Sequence, residues 1–161
     1  MHFVVLPFPT QGHLNPCLML ARLLASQGFI FTFVLTEELA SKFEEGGSSE
    51  DYSIRHATIR DEAASTISSN GGPFRLVKAL EMVDRLRPSF ETLLTKLVSS
   101  PLGVSCIIFD CFVLWSKQVA SKFSILRLPS TPQILTLSQF LATLVISSPE
   151  VLTVSGLFQE V

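Results

Sequence analysis

Short continuous hydrophobic runs alternate along this chain with longer stretches in which apolar residues recur at helical spacing. The runs at 3–6, 29–35 and 104–109 are typical of strands covered on both faces, and the loosely alternating stretch 52–59 predicts another strand. Helical spacing predicts a helix that begins at Asn15 and Pro16 and ends before Gly28. It predicts further helices over 37–45, 74–99 and 114–123, with a kink or break at Pro88.

This order of elements predicts an α/β domain with a Rossmann-like, doubly wound parallel sheet. A fifth strand at 126–133 is left open, because Pro129 and Pro132 each lack the N–H that a strand interior donates. The segment 133–147 is predicted to be helical or buried. The polar stretch 60–73 is predicted to be a long loop, and loops of that length are often functional.

Composition narrows the class of protein. The 161 residues carry a net charge of −2, which gives no electrostatic footprint for nucleic acid or an anionic membrane. Hydrophobic residues reach 47% and charged residues only 16%, as expected for buried strands or an apolar pocket. Three cysteines without a spaced framework favour reduced thiols in a cytoplasmic protein, since no signal peptide is evident. The apolar stretch 134–146 is shorter than the ~20 residues that span a bilayer.

His13 and Asp110 each follow a predicted strand. In an open parallel sheet with order 3-2-1-4-5, strands 1 and 4 are neighbours, and ligands bind where the winding reverses between them. His13 follows the first strand and Asp110 ends the fourth, so we expect the two to converge. A carboxylate beside an imidazole is a general-base arrangement, in which the carboxylate orients the ring and stabilises the imidazolium that forms when a hydroxyl is deprotonated.

Both residues also have ordinary structural interpretations. A histidine in a turn is often a surface or capping residue, and an aspartate at a strand end often caps the next helix. A metal site built from Cys106, Cys111, His13 and Asp110 is conceivable, but the spacing fits no zinc pattern. Cys106 also lies in a predicted buried strand, so we expect it in the core and expect no metal.

Other functional signatures are missing. The sequence contains no Gly-x-Gly-x-x-Gly, no P-loop and no Gly-x-Ser-x-Gly, which counts against dinucleotide binding, P-loop NTPases and serine hydrolases. Phe112 and Trp115 are expected in the core, although they border the expected crevice. His2 and His56 have no partner that the sequence identifies.

The stretch 6–37, with Pro-Phe-Pro-x-Gln-Gly-His-x-x-Pro, resembles the start of the plant-type UDP-dependent glycosyltransferases. These enzymes have the GT-B fold, in which two Rossmann-like domains face a cleft. A second match runs from Cys106 to Phe123, so the resemblance is dense to about residue 123 and looser beyond. The matched positions of the first motif are Pro7, Phe8, Pro9, Gln11, Gly12, His13 and Pro16.

The resemblance implies specific roles. It identifies His13 as the catalytic base and Asp110 as the residue that orients it, and it assigns substrate binding to Gln11, Gly12 and Phe112. The implied reaction is inverting transfer of a sugar, glucose by expectation, from a UDP-sugar to a hydroxyl of a small apolar acceptor such as a phenolic or terpenoid. No metal or other cofactor takes part, and UDP-sugar is a co-substrate.

Two departures from the family affect these expectations. When residues are counted along the family's pattern, the residue whose hydroxyl contacts the sugar falls at Pro132, which has no hydroxyl. The chain also stops at Val161, before any segment that resembles the family's UDP-binding box. We therefore expect residues 1–161 to form the acceptor-binding N-terminal domain, without the UDP-sugar-binding domain, and to be inactive alone because no donor is positioned near His13.

Two alternatives to half of an enzyme remain open at this point. The chain is also compatible with a non-catalytic module that binds small apolar molecules. It is compatible, too, with the acceptor subunit of a split transferase that pairs with a separate donor-binding chain, in which case an exposed apolar patch is expected.

Overall fold

The computed structural model describes residues 1–45, 53–60 and 74–130. Within them the strands are β1 (His2–Leu6), β2 (Ile30–Thr36), β3 (Ile54–Ile59), β4 (Cys106–Asp110) and β5 (Leu126–Ser130). The helices are α1 (Gln11–Ala25), α2 (Glu37–Glu45), α3 (Phe74–Arg85), α4 (Arg87–Val98) and α5 (Ser116–Phe123). The predicted loop after Arg60, the segment 133–147 and the position of Pro132 lie outside the described residues.

The strands form one parallel sheet in the order β3-β2-β1-β4-β5. Val5 in the central strand pairs with Phe33 on one side and with Ile108 on the other. The doubly wound α/β fold is therefore confirmed, and β1 and β4 are neighbours as the site argument requires. The carboxyl ends of these two strands meet at one edge of the sheet.

Helices cover both faces of this sheet. Side chains alternate along β1, so Phe3 and Val5 pack in one core with α1 and α2, while Val4 and Leu6 pack in a second core with α3, α4 and α5. Burial of β1, β2 and β4 on both faces explains why these strands appear in the sequence as continuous hydrophobic runs.

The fifth strand, which the prolines left open, is present. Pro129 lies within β5 and pairs with Phe109 of β4. Among the described residues β5 is an edge strand with one hydrogen-bonded neighbour, and proline is tolerated at such an edge because an N–H directed away from the sheet is not needed.

The predicted start of the first helix is wrong by four residues. α1 begins at Gln11, after Thr10 in an extended conformation, and Pro16 lies inside the helix. The Thr10 carbonyl already accepts hydrogen bonds from the N–H groups of His13 and Leu14, at 3.1 and 3.0 Å. Pro16 can donate no helical bond, but the loss of one bond near the start of a 15-residue helix does not end it.

The break predicted at Pro88 is confirmed. The chain turns at Leu86, between α3 and α4, and Pro88 lies in the first turn of α4, where its missing N–H has no helical partner to lose. Leu86 and Phe90 on either side of this proline are buried against the sheet.

Candidate active site

Strand order and helix start together bring His13 to Asp110. Leu6 at the end of β1 pairs with Phe109, so Asp110 lies one residue further along the neighbouring strand. The chain turns through Pro7 and Pro9 into α1, whose first turn carries His13. The earlier helix start therefore places His13 on a rigid helix rather than in the turn where the sequence located it.

The two side chains form a short hydrogen bond. Nδ1 of His13 lies 2.6 Å from Oδ2 of Asp110. The Asp110 side chain is only 2% exposed, while that of His13 is 17% exposed. An ionised carboxylate can only accept hydrogen bonds, so Nδ1 carries the hydrogen and Nε2 is left to accept a proton. The pair thus has one buried, fixed end and one end that solvent or a ligand can reach.

The turn after β4 fixes the second carboxylate oxygen. Oδ1 of Asp110 accepts a hydrogen bond from the backbone N–H of Phe112 at 3.0 Å. The Cys111 thiol also lies 3.6 Å from this oxygen. Each oxygen of the buried carboxylate therefore has its own partner, and the group satisfies the requirement that a buried charge be hydrogen-bonded. Asp110 does not serve mainly as a helix cap, because α5 begins only at Ser116.

Two aromatic side chains border the imidazole. The ring centroid of His13 lies 5.3 Å from that of Phe8 and 5.6 Å from that of Phe112, and the two phenyl rings are 5.2 Å apart. Phe8 is almost fully buried, whereas Phe112 is partly exposed. The sequence motif contained Phe8, but sequence reasoning gave it no role; the flanking prolines were the available signal that its position matters.

The predicted substrate-binding residues lie around this pair. Gln11 and Gly12 occupy the first turn of α1, next to His13. Gly12 is exposed, and a Cβ placed on it would meet no atom within 4 Å. Phe112 contacts the His13 ring, so it belongs to the site's edge rather than wholly to the core. Substrate binding by these three residues stays a prediction.

A small apolar cavity opens beside the site. Its volume is about 10 Å³, room for about one water molecule. This cavity is therefore too small to hold a phenolic ligand. The cavity lies under the carboxyl ends of β1, β2 and β3, and its lining includes Leu6, Pro7, Pro9, Val34, Ile59 and Val83.

The metal site considered from the sequence, with Cys106, Cys111, His13 and Asp110, does not form. Among residues 1–45, 53–60 and 74–130, no three or more His, Cys, Asp or Glu side chains are arranged to hold a metal ion. Cys106 lies in the core as predicted, and burial raises the pKa of its thiol to about 12. The three cysteines form no disulfide. The expectation that the chain uses no metal or cofactor stays a prediction.

Trp115 and His2 both form hydrogen bonds in the structure. Trp115 is a core residue, as expected, and donates its Nε1–H to the carbonyl of Val83. His2 is buried at the opposite end of the sheet, with Nδ1 2.5 Å from the Gly103 carbonyl and Nε2 2.8 Å from the Thr32 hydroxyl. The first contact requires Nδ1–H, so Nε2 accepts from Thr32. His2 is therefore structural and takes no part in the candidate site.

None of the helices in the described part of the chain is both long and apolar enough to cross a membrane.

Curated relatives of this chain are plant glycosyltransferases. It is 38% identical over 130 residues to (R)-mandelonitrile beta-glucosyltransferase of Prunus dulcis, a match that covers 77% of this chain and 27% of that protein. It is 31% identical over 133 residues to UDP-glycosyltransferase 86A2 of Arabidopsis thaliana, covering 78% of this chain and 27% of that protein. The chain thus spans little more than a quarter of the length of these relatives. No family model matches it.

Solved structures agree on the fold. Arabidopsis thaliana UGT89C1, solved with quercetin, superposes with a TM-score of 0.66 at 23% identity, over 81% of this chain and 35% of that one. Os79 of O. sativa, solved with UDP, superposes with a TM-score of 0.63 at 25% identity, over 79% of this chain and 28% of that one. By sequence and by its Rossmann-like fold, this chain belongs to the plant-type UDP-dependent glycosyltransferase family, and it corresponds to part of the length of those enzymes.

Proposed function

We propose that this chain supplies the acceptor-activating side of a UDP-dependent glycosyltransferase, with His13 as the general base and Asp110 as the residue that orients it. The observation that carries the proposal is the 2.6 Å contact between Nδ1 of His13 and Oδ2 of Asp110 at the carboxyl ends of β1 and β4. Such an edge is where doubly wound sheets bind their ligands.

The proposed step is a single displacement. Nε2 of His13 takes the proton of an acceptor hydroxyl as the hydroxyl oxygen attacks the anomeric carbon of the UDP-sugar. A bond forms between that oxygen and the anomeric carbon, while the bond from this carbon to UDP breaks on the opposite face and UDP leaves with the electron pair. The configuration is inverted, and Asp110 stabilises the imidazolium until its proton passes to solvent.

The names of related proteins support a proposal for the substrates. Two of the matched proteins are named as glucosyltransferases, one acting on mandelonitrile and one on a flavonol. Related structures were solved with quercetin, a trichothecene, UDP and UDP-L-rhamnose. We therefore propose UDP-glucose as donor and a small apolar molecule with a free hydroxyl, such as a phenolic or terpenoid, as acceptor. Gln11, Gly12 and Phe112 would contact the acceptor.

In this proposal residues 1–161 act as the acceptor-binding N-terminal domain, and the groups that bind UDP come from residues outside them. Deprotonation by His13 activates the nucleophile directly, so we propose that no metal or cofactor takes part. A cytoplasmic location fits the three reduced thiols.

A chimera tests this function. The matching 130 residues of the Prunus dulcis relative are replaced by those of this chain, and glucose transfer from UDP-glucose to mandelonitrile is measured. We expect transfer by the folded chimera and a loss of roughly 10²–10⁴-fold in kcat with His13→Ala. Replacing His56, a histidine on β3, by alanine is the matched control and should leave kcat within a fewfold of the parent.

Purified residues 1–161 provide a second assay. We expect no sugar transfer from the isolated chain; transfer that is lost with His13→Ala would show that it also positions the donor. Binding of apolar phenolics that survives His13→Ala, together with an inactive but folded chimera, would instead support the non-catalytic binding module. Activity regained only when a separate donor-binding chain is added would support the split transferase.

A further inference from the structure

We propose that Phe8 is a positioning residue that holds the His13 ring in the orientation in which Nδ1 meets Asp110. Its consequence for catalysis rests on the function proposed above, while its effect on the ring does not. Neither the motif nor the comparisons with known proteins assign Phe8 a role.

The His13 ring is oriented by its hydrogen bond to Asp110 and by the aromatic side chains packed against it. The contact between Nδ1 and Oδ2 of Asp110 fixes one atom of the imidazole. The torsion about the bond from Cβ to the ring has broad minima, so it adds little of its own to this restriction. Rotation by half a turn would exchange Nδ1 for a carbon and leave the buried carboxylate without its donor. Side chains packed against the ring would therefore add to the restriction that this hydrogen bond provides.

Phe8 is placed to do this. Its ring is 3% exposed, and its centroid lies 5.3 Å from that of His13 with the planes tilted by 54°. Phe112 forms a second wall at 5.6 Å and packs against Phe8 at 5.2 Å. Of the two walls Phe8 is the more deeply buried, so it is the more firmly fixed. Distances and angles of this kind are favourable for aromatic pairs.

The backbone of Phe8 is also restricted. Pro7 and Pro9 each have a fixed φ, and a residue before proline is held to extended conformations. The Phe8 carbonyl accepts a hydrogen bond of 2.7 Å from the N–H of Thr10, which closes the turn into α1. The Pro-Phe-Pro segment thus fixes the Phe8 ring relative to the helix that carries His13. This placement gives a physical reason for a phenylalanine between two prolines in the motif, which the roles of His13 and Asp110 do not explain.

Nuclear magnetic resonance of the imidazole nitrogens in the chain of residues 1–161 tests the proposal. The spectrum reports which ring nitrogen carries the hydrogen. In the parent chain we expect Nδ1, the nitrogen that faces Asp110, to carry the hydrogen. With Phe8→Leu we expect the preference for Nδ1–H to fall roughly two- to tenfold, the factor that corresponds to loss of one aromatic pair.

Phe90→Leu is the matched control. Phe90 is fully buried in the same core and contacts Phe109 and Trp115. General loosening of the core would affect both variants, whereas positioning by Phe8 predicts an unchanged His13 tautomer in Phe90→Leu. Where amide spectra show that Phe8→Leu does not fold, Phe8→Met replaces it, because methionine fills the space without a flat face.

An unchanged tautomer preference in a folded Phe8 variant, or equal shifts in the Phe8 and Phe90 variants, would overturn the proposal. Because the readout requires neither donor nor acceptor, its result is independent of whether the chain takes part in sugar transfer.

Discussion

The backbone N–H of Phe112 donates a hydrogen bond of 3.0 Å to Oδ1 of Asp110, and this contact leaves Oδ2 for His13. The carboxylate is thereby fixed from both sides. Cys111, which lies between Asp110 and Phe112 in the sequence, is exposed, and its sulfur is 3.6 Å from Oδ1. Its thiol can therefore report on the charge of Asp110 without any substrate.

Alkylation of Cys111 should be slow for an exposed thiol. Partial burial, the Asp110 charge and the hydrogen bond to Asp110 all raise the pKa of the Cys111 thiol. At about pH 8 a smaller fraction of the thiol is then present as the thiolate, which is the reactive form. Asp110→Asn removes the negative charge, lowers that pKa and should raise the alkylation rate by roughly threefold or more. Mass spectrometry identifies the modified residue. Asp84→Asn, an exposed change on α3, is the control, and an equal acceleration there would contradict this account.

Gly12→Ala should separate stability from function. Glycine within a helix costs ~0.5–1 kcal/mol relative to alanine, and a Cβ on Gly12 would meet no atom within 4 Å. The variant should therefore raise the free energy of unfolding in urea by a similar amount. In the active chimera we expect its KM for the acceptor to rise, because the added methyl group projects into the predicted substrate site. An unchanged KM would remove Gly12 from the substrate-binding residues.

His2 should make stability depend on pH. Burial, with smaller contributions from the Arg55 and N-terminal charges, lowers the pKa of His2 below its ordinary value of 6.5, and the Gly103 hydrogen bond only partly opposes this. The unfolded chain then takes up a proton at a higher pH than the folded chain. The contribution of neutral His2 to stability is present above pH 6.5, and it is lost as the pH falls below that value towards the pKa of His2 in the folded chain.

Urea unfolding at about pH 8 and about pH 5.5 measures this effect. His2→Leu should be less stable at the higher pH by ~1–3 kcal/mol, since the Gly103 carbonyl and the Thr32 hydroxyl lose their partner. It should also lose less stability between the two values than the parent does. Equal pH dependence in the two proteins would show that another group is responsible.

Ser124 offers a test of local backbone strain. It ends α5 with φ 54° and ψ 38°, in the left-handed region that favours glycine. Ser124→Gly should stabilise the chain by ~0.5–1 kcal/mol. Ser121→Gly, inside α5, should destabilise it by a similar amount. The same sign for both variants would contradict the assignment of this helix end.

Several elements could be predicted from the sequence because both of their faces are buried. β1, β2 and β4 appear as continuous apolar runs, and their alternation with helices indicates a doubly wound sheet, whereas the strand order was assumed and the structure confirms it. β5 could not be settled, because edge position, which makes Pro129 acceptable, is a property of the assembled sheet. The start of α1 was misplaced because Asn15 and Pro16 form a good local start signal, while the bonds to the Thr10 carbonyl are not visible in the sequence.

The site was predictable to the extent that topology determines it. Strand order alone brings His13 and Asp110 to neighbouring strand ends, and the structure places them in contact. The contacts of Phe8 and Phe112 with the imidazole could not be foreseen, because a buried phenylalanine in a sequence looks the same whether it packs against a core or a functional ring. His2 illustrates the reverse case, in which a histidine without a visible partner is held by a carbonyl and a hydroxyl distant in the sequence.

The most direct test of the central claim is a double-mutant cycle on kcat in the chimera, with His13→Ala, Asp110→Asn and the two combined. The Asp110→Asn change keeps the size of the side chain but removes its charge and favours the wrong tautomer of His13, so each single change should lower kcat by roughly 10²–10⁴-fold. If the two residues act as one unit, the double variant will be no slower than His13→Ala alone. Losses that multiply in the double variant, or a His13→Ala variant that keeps its kcat, would contradict the account.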